Sequence, residues 1–161
     1  MEVQKDAGAV PKVVIQDNDT RWDSQLMMLE RFQELKLFVR AFAAEESNNA
    51  VDLTDNELML LPRLNSLLLP LRELTKFGQL EEAIDGQVIF RIKKCIHTVE
   101  NVVNVPGLQT MQEALVESLN GRLTIYTVHL PYMICCILDP NYKGFCLSVH
   151  GYNEAKTEIL R

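Results

Sequence analysis

The residues best equipped for chemistry are concentrated in two short segments. In the first, Arg21 places a guanidinium directly before the chain's single tryptophan, Trp22, with Asp17, Asp19 and Asp23 around the pair. An indole face can stack on an unpaired base, and a neighbouring guanidinium can meet a phosphate. The second segment runs Leu138-Asp139-Pro140-Asn141-Tyr142-Lys143. Its carboxylate stands before a proline, where an aspartate bonds nearby backbone and caps a turn. The Asp17-Asn18-Asp19 cluster lacks the glycine and the bidentate glutamate of a calcium loop, so capping and helix-dipole complementarity account for it. Among four cysteines, Cys95, Cys135, Cys136 and Cys146, there is no C-x2-C pair. Their spacing fits neither a zinc site nor a disulfide framework, and adjacent Cys135 and Cys136 read as buried apolar filling. With seven glycines, the chain has no phosphate-cradling loop, and it has no G-x-S-x-G elbow. No cofactor and no metal are expected.

These segments must be positioned by helices. Thr20 with Asp23 matches a capping box, and Met28, Phe32, Leu35, Val39 and Phe42 form one apolar seam to about Glu46. Trp22, Leu26 and Leu29 make a second row, so this helix is expected to pack on two sides. A second capping box, Thr54 with Glu57, precedes a leucine seam of Leu60, Leu64, Leu67, Leu71 and Leu74. Pro62 and Pro70 fall inside it, which predicts kinks or two to three short helices. A helix over about 87–103 should bury Val88, Ile92, Cys95, Val99 and Val102, leaving Arg91, Lys94 and His97 towards solvent. Beyond the break at Asn104-Val105-Pro106-Gly107, a helix carries Leu108, Met111, Leu115, Leu119 and Tyr126 until Pro131 ends or kinks it. Tyr132 to Leu138 is a short apolar helix, and Tyr152 to Arg161 opens another that the chain end cuts off. No strand ladder, repeat or low-complexity tract is apparent. The fold class expected is all-α, about five helices in a layer or bundle.

The two segments together resemble landmarks of the hAT transposases and the cellular proteins derived from them. There the first landmark commonly reads Thr-Arg-Trp-Asn-Ser-Thr before a Met-Leu-Glu-Arg helix, and the second reads Leu-Asp-Pro-Arg-Tyr-Lys. Here Thr20-Arg21-Trp22-Asp23-Ser24-Gln25, then Met28-Leu29-Glu30-Arg31, match the first, and Leu138–Lys143 the second. The resemblance extends from about Thr20 to the C-terminus. It implies the helical insertion part of a ribonuclease-H-like transposase body, residues 17–161, C-terminally truncated and preceded by a lead-in over 1–16. It also implies a candidate DNA contact at Arg21 and Trp22, beside the alternative that Trp22 anchors the first helix. Asp23 replaces the family's Asn, Gln25 its Thr and Asn141 its Arg. The added charge of Asp23, two residues from Arg21, lowers the local attraction for phosphate.

Strand transfer needs carboxylates holding two metal ions. The resemblance places those outside this region, so the chain is expected not to be an enzyme. It implies a domesticated nuclear protein joined to zinc fingers, active in DNA binding or transcriptional regulation. A helical protein–protein interaction module is the competing reading, and a piece of an active transposase the third. A net charge of −6 opposes a whole-surface grip on nucleic acid, so DNA contact is expected mainly through flanking domains. Self-association through apolar helix faces is the other partner expectation. No apolar run reaches a membrane span and no signal peptide is visible, so membrane insertion is not expected and the location should be intracellular. The Arg91-Lys93-Lys94-His97 group reads as a solvated helix face, and the LxxLL match at Leu64-Asn65-Ser66-Leu67-Leu68 as a chance occurrence in a core helix.

Overall fold

The computed structural model describes residues 12–16, 22–45, 54–80, 85–102 and 106–161. Its helices are α1 (Trp22–Glu45), α2 (Asp55–Gly78), α3 (Asp85–Glu100), α4 (Gln109–Val128), α5 (Leu130–Leu138) and α6 (Val149–Ile159). No strand occurs among the described residues. The class is all-helical, with six described helices where about five were expected. The chain divides into two compact units, Met1–Leu68 and Leu69–Arg161, and the boundary falls within α2.

In the first unit, α1 buries Leu26 and Leu35. Nine positions separate them, about 180° around the helix axis, as a helix packed on two sides requires. Leu26, from the second row, is more buried than Met28 or Phe32 of the main seam. Polar bridges join α1 to the first half of α2. Asn65 donates to Gln33 at 2.8 Å, and Arg40 pairs with Asp55 at 3.0 Å. Lys12 and the Val13 carbonyl reach α1 through Glu34 and Arg31.

The capping box of α2 forms as its spacing predicts. The Thr54 N–H and hydroxyl both donate to Glu57 Oε2 at 2.8 Å, and the Glu57 N–H donates back to Thr54 Oγ1 at 3.3 Å. Those bonds, the backbone one first, hold the Glu57 carboxyl below its usual range. The expected division of α2 at Pro62 and Pro70 does not occur, and the helix is unbroken to Gly78. Each interior proline costs about 3 kcal/mol. Burying one Leu or Phe returns about 1.5–3 kcal/mol, and Leu58, Leu67 and Phe77 are all buried. The half-buried Leu60, Leu64, Leu71 and Leu74 add to that side of the balance.

The second unit is arranged around α3, which packs on α4 and α5, while α6 packs on α5. Helix α3 stops at Glu100, short of the expected Val103, and Gln112 of α4 closes its end. The Gln112 amide donates to the carbonyls of Val99 at 2.7 Å and Val102 at 3.2 Å, where the backbone leaves the helix. Besides Ile92, Cys95 and Val99, α3 buries Gly86, Ile89 and Ile96. Its apolar face is broader than one seam because two helices cover it.

Helix α4 tolerates Gly121, which is exposed with open space around it. His129 then adopts an extended conformation, and α5 leaves at 81° with Pro131 in its first turn. A missing N–H is harmless there. Tyr126 meets Tyr132 edge-on across the corner, 4.9 Å between ring centroids. Helix α6 begins three residues before the expected Tyr152, because Ser148 serves as N-cap and accepts from the Gly151 N–H at 3.1 Å. Among the described residues no single helix is long and apolar enough to cross a membrane.

Candidate functional site

Of the pair singled out for DNA contact, Arg21 lies outside the described residues. Trp22 opens α1, and its backbone alone is described. The Thr20 half of the first capping box is likewise outside them. The second landmark is described completely and forms the turn between α5 and α6.

Asp139 is 6% exposed and is the one buried charged side chain among the described residues. Its Oδ1 accepts the Asn141 N–H at 2.8 Å, the turn-capping role expected of it. Its backbone carbonyl accepts from Lys143 at 2.8 Å and Tyr142 at 3.2 Å. The chain then reverses through two left-handed residues, Lys143 at φ 47° and Gly144 at φ 73°. A Cβ on Gly144 would stand 2.8 Å from both Ile137 and Tyr152, so glycine is required on two counts. Gly86 makes a comparable fit from the other side. A Cβ there would lie 2.6 Å from the Cys135 carbonyl oxygen and 3.1 Å from Asp139 Cβ. Asp139 therefore sits beside the first turn of α3, where the helix dipole favours a carboxylate.

The reversal delivers Cys146 to Cys136. The two sulfurs are 2.7 Å apart, and the residues are 6% and 0% exposed. With Ile89 they form a core ringed by Phe90, Leu123, Tyr126, Tyr132, Tyr142 and Leu147. The Cys136 carbonyl accepts the Gly144 N–H at 2.9 Å. Burial, then the hydrogen bond and charge of Cys146, push the Cys136 thiol up to about 12. The reading of the adjacent pair as buried core filling holds for Cys136, whereas Cys135 is only half-buried. The spacing gave no hint that it pairs with Cys146, since ten residues imply no contact until the Asp139 cap and the Gly144 reversal are known.

The basic group on α3 is not one solvated face. Lys93 donates to the Cys146 carbonyl at 2.7 Å and so holds the turn against α3. Arg91 is half-buried over the Phe77 ring, 4.7 Å from its centroid, which corrects its expected solvent-facing position. Lys94 and His97 are exposed as expected, and His97 contacts Asn101. Arg91 and Lys94 also line a cleft of about 250 Å³ with Leu69, Glu73 and Cys95. The LxxLL leucines are not displayed, because Leu67 is 0% exposed. Among the described residues no three His, Cys, Asp or Glu side chains are grouped to hold a metal ion.

A human zinc-finger protein is similar to this chain. It is zinc finger BED domain-containing protein 4 of Homo sapiens, 24% identical over 162 residues. The match covers 99% of the chain, which spans 14% of that protein's length. No family model and no solved structure matches the chain.

Proposed function

We propose that the chain is a non-catalytic helical part of a nuclear protein derived from a hAT transposase, working in DNA binding or transcriptional regulation beside flanking zinc fingers. The observation that carries this is the end-to-end likeness to a small part of a BED zinc-finger protein. Both landmarks of the hAT insertion region, in order, support the same reading. So does the use of Asp139 as a buried turn cap, which employs that carboxylate in structure and leaves it poorly placed for metal-dependent strand transfer. Any base recognition then belongs to the fingers, and the helical part contributes shape and protein contacts.

The test is the full transcript and its product. Coding sequence for BED-type fingers on one side and a Ser-Glu-Arg-rich segment on the other is expected. The tagged full-length product should accumulate in the nucleus, and its retention on chromatin should be lost on deleting the fingers. A cytoplasmic product with no finger-coding sequence would overturn the proposal.

A helical protein-interaction module is the second reading. Exposed Ile125, Val128, Leu138, Phe145 and Val149 in the second unit favour it. Monodisperse monomer at high concentration, with no partner recovered through those residues, would count against it.

A further inference from the structure

We propose that Cys136 and Cys146 form a reversible dithiol–disulfide site, oxidised by a small peroxide or a low-molecular-weight disulfide and closing across the Leu138–Lys143 turn. The geometry carries the proposal. A sulfur separation of 2.7 Å is within about 0.7 Å of a covalent S–S bond. Three anchors hold the sulfurs in place: the Gly144 N–H on the Cys136 carbonyl, Lys93 on the Cys146 carbonyl, and the Asp139 cap between them. Packing alone does not call for such proximity, since two uncharged thiols gain little from each other compared with aliphatic neighbours.

Oxidation by hydrogen peroxide balances in two displacements. The sulfur of one cysteine, as thiolate, attacks a peroxide oxygen. The O–O bond breaks and the leaving oxygen takes a proton as water, giving a sulfenic acid. The second cysteine attacks that sulfur, the S–O bond breaks, and a second water leaves with the attacking thiol's proton. The sulfurs give up two electrons and the peroxide gains two. A low-molecular-weight disulfide closes the same bond by exchange: one cysteine thiolate breaks its S–S bond to give a mixed disulfide and one small thiol. The second cysteine then displaces the other half, so two small thiols leave with the two cysteine protons, and a dithiol reductant reverses the bond in the same way.

Burial makes the site slow. Neither thiol is open to solvent, and Cys136 is held as the neutral thiol at neutral pH. The oxidant reacts when the turn opens, so Lys93→Ala should speed oxidation several-fold. Once closed, the bond removes freedom from an unfolded loop of about ten residues, which raises Tm by roughly 5–10 °C.

The experiment equilibrates the whole chain with mixtures of reduced and oxidised glutathione, then alkylates, digests and weighs the peptides. The expected result is a linked pair carrying Cys136 and Cys146, lighter by two hydrogens. Cys95 should be alkylated, and the link should survive Cys135→Ala. Dithiothreitol should undo both the link and the rise in Tm. Since the unsubstituted chain gives the main readout, a folding defect in Cys146→Ser cannot mask the answer. Alkylation of both cysteines at every ratio, a Cys135–Cys146 link, a glutathione adduct alone, or a lowered Tm would each overturn the proposal.

Discussion

Single residues in this chain do more positioning than chemistry. Gly86 shows it most directly. Replacing it with Ala should gain about 1 kcal/mol of helix propensity. The new methyl would meet the Cys135 carbonyl at 2.6 Å, a backbone group that cannot turn aside. Gly86→Ala is therefore expected to destabilise the second unit by a net 1–3 kcal/mol or so, read from urea midpoints. Asp139→Ala should cost about 1–2 kcal/mol, because it strips the Asn141 N–H of its acceptor in a part-buried turn. Asp139→Asn, which keeps an acceptor, should recover most of that. The position of Trp22 off the main seam of α1 permits either an anchor or a DNA contact, and the anchor is expected because a domesticated protein keeps the fold while losing the reaction. Blue-shifted emission, unchanged by single-stranded or hairpin DNA, is expected. Trp22→Ala should cost about 3–5 kcal/mol. DNA-dependent quenching with unchanged stability would instead make Arg21 and Trp22 a retained DNA contact.

Helices were the most legible level. Thr54 and Glu57 announce α2 by spacing alone, and the bonds between them form in both directions. Local chemistry decides a helix start, so sequence suffices there. It does not suffice for what happens inside a helix. Pro62 and Pro70 looked like breaks, and burial of Leu58, Leu67 and Phe77 overrode them. The same limit explains α3, whose buried face widened to include Ile89 and Ile96 because two helices cover it. The start of α6 was a different miss, for Ser148 is an ordinary N-cap signal with Gly151 as its donor. The capping box also carries a pH expectation. The folded Glu57 carboxyl sits below its ordinary value of 4.5, so its support for α2 is present above that pH. It fades as pH falls through the folded value. The effect is small for an exposed group. Faster amide exchange at Glu57 and Leu58 below that pH, absent in Glu57→Gln, is the check.

At the scale of the whole molecule, the all-helical class and the order of helices followed from periodicity and breakers, but the site did not. The pairing of residues 136 and 146 depends on a two-residue left-handed reversal, and Lys143 carries no sequence mark of its positive φ. The functional expectation at this scale is that the chain neither nicks nor joins DNA. Labelled duplex incubated with Mg²⁺ or Mn²⁺ should stay intact. Specific cleavage that an acidic substitution removes would contradict the non-catalytic reading.

The reversal at Lys143 and Gly144 also decides where a protease can cut. Lys143 is exposed, so its side chain is open to the specificity pocket of trypsin. The enzyme must also draw several flanking residues into an extended strand. Here the next residue is buried, its N–H is bonded to Cys136, and the carbonyl of Cys146 is tied to Lys93. Cleavage after Lys143 thus requires the turn to open first, and its rate reports the population of that open form. The exposed lysine is a built-in clock for the stability of the turn. Native chain should resist cutting at this bond, and Gly144→Ala, which forces a clash with Ile137 and Tyr152, should make it the first bond to go.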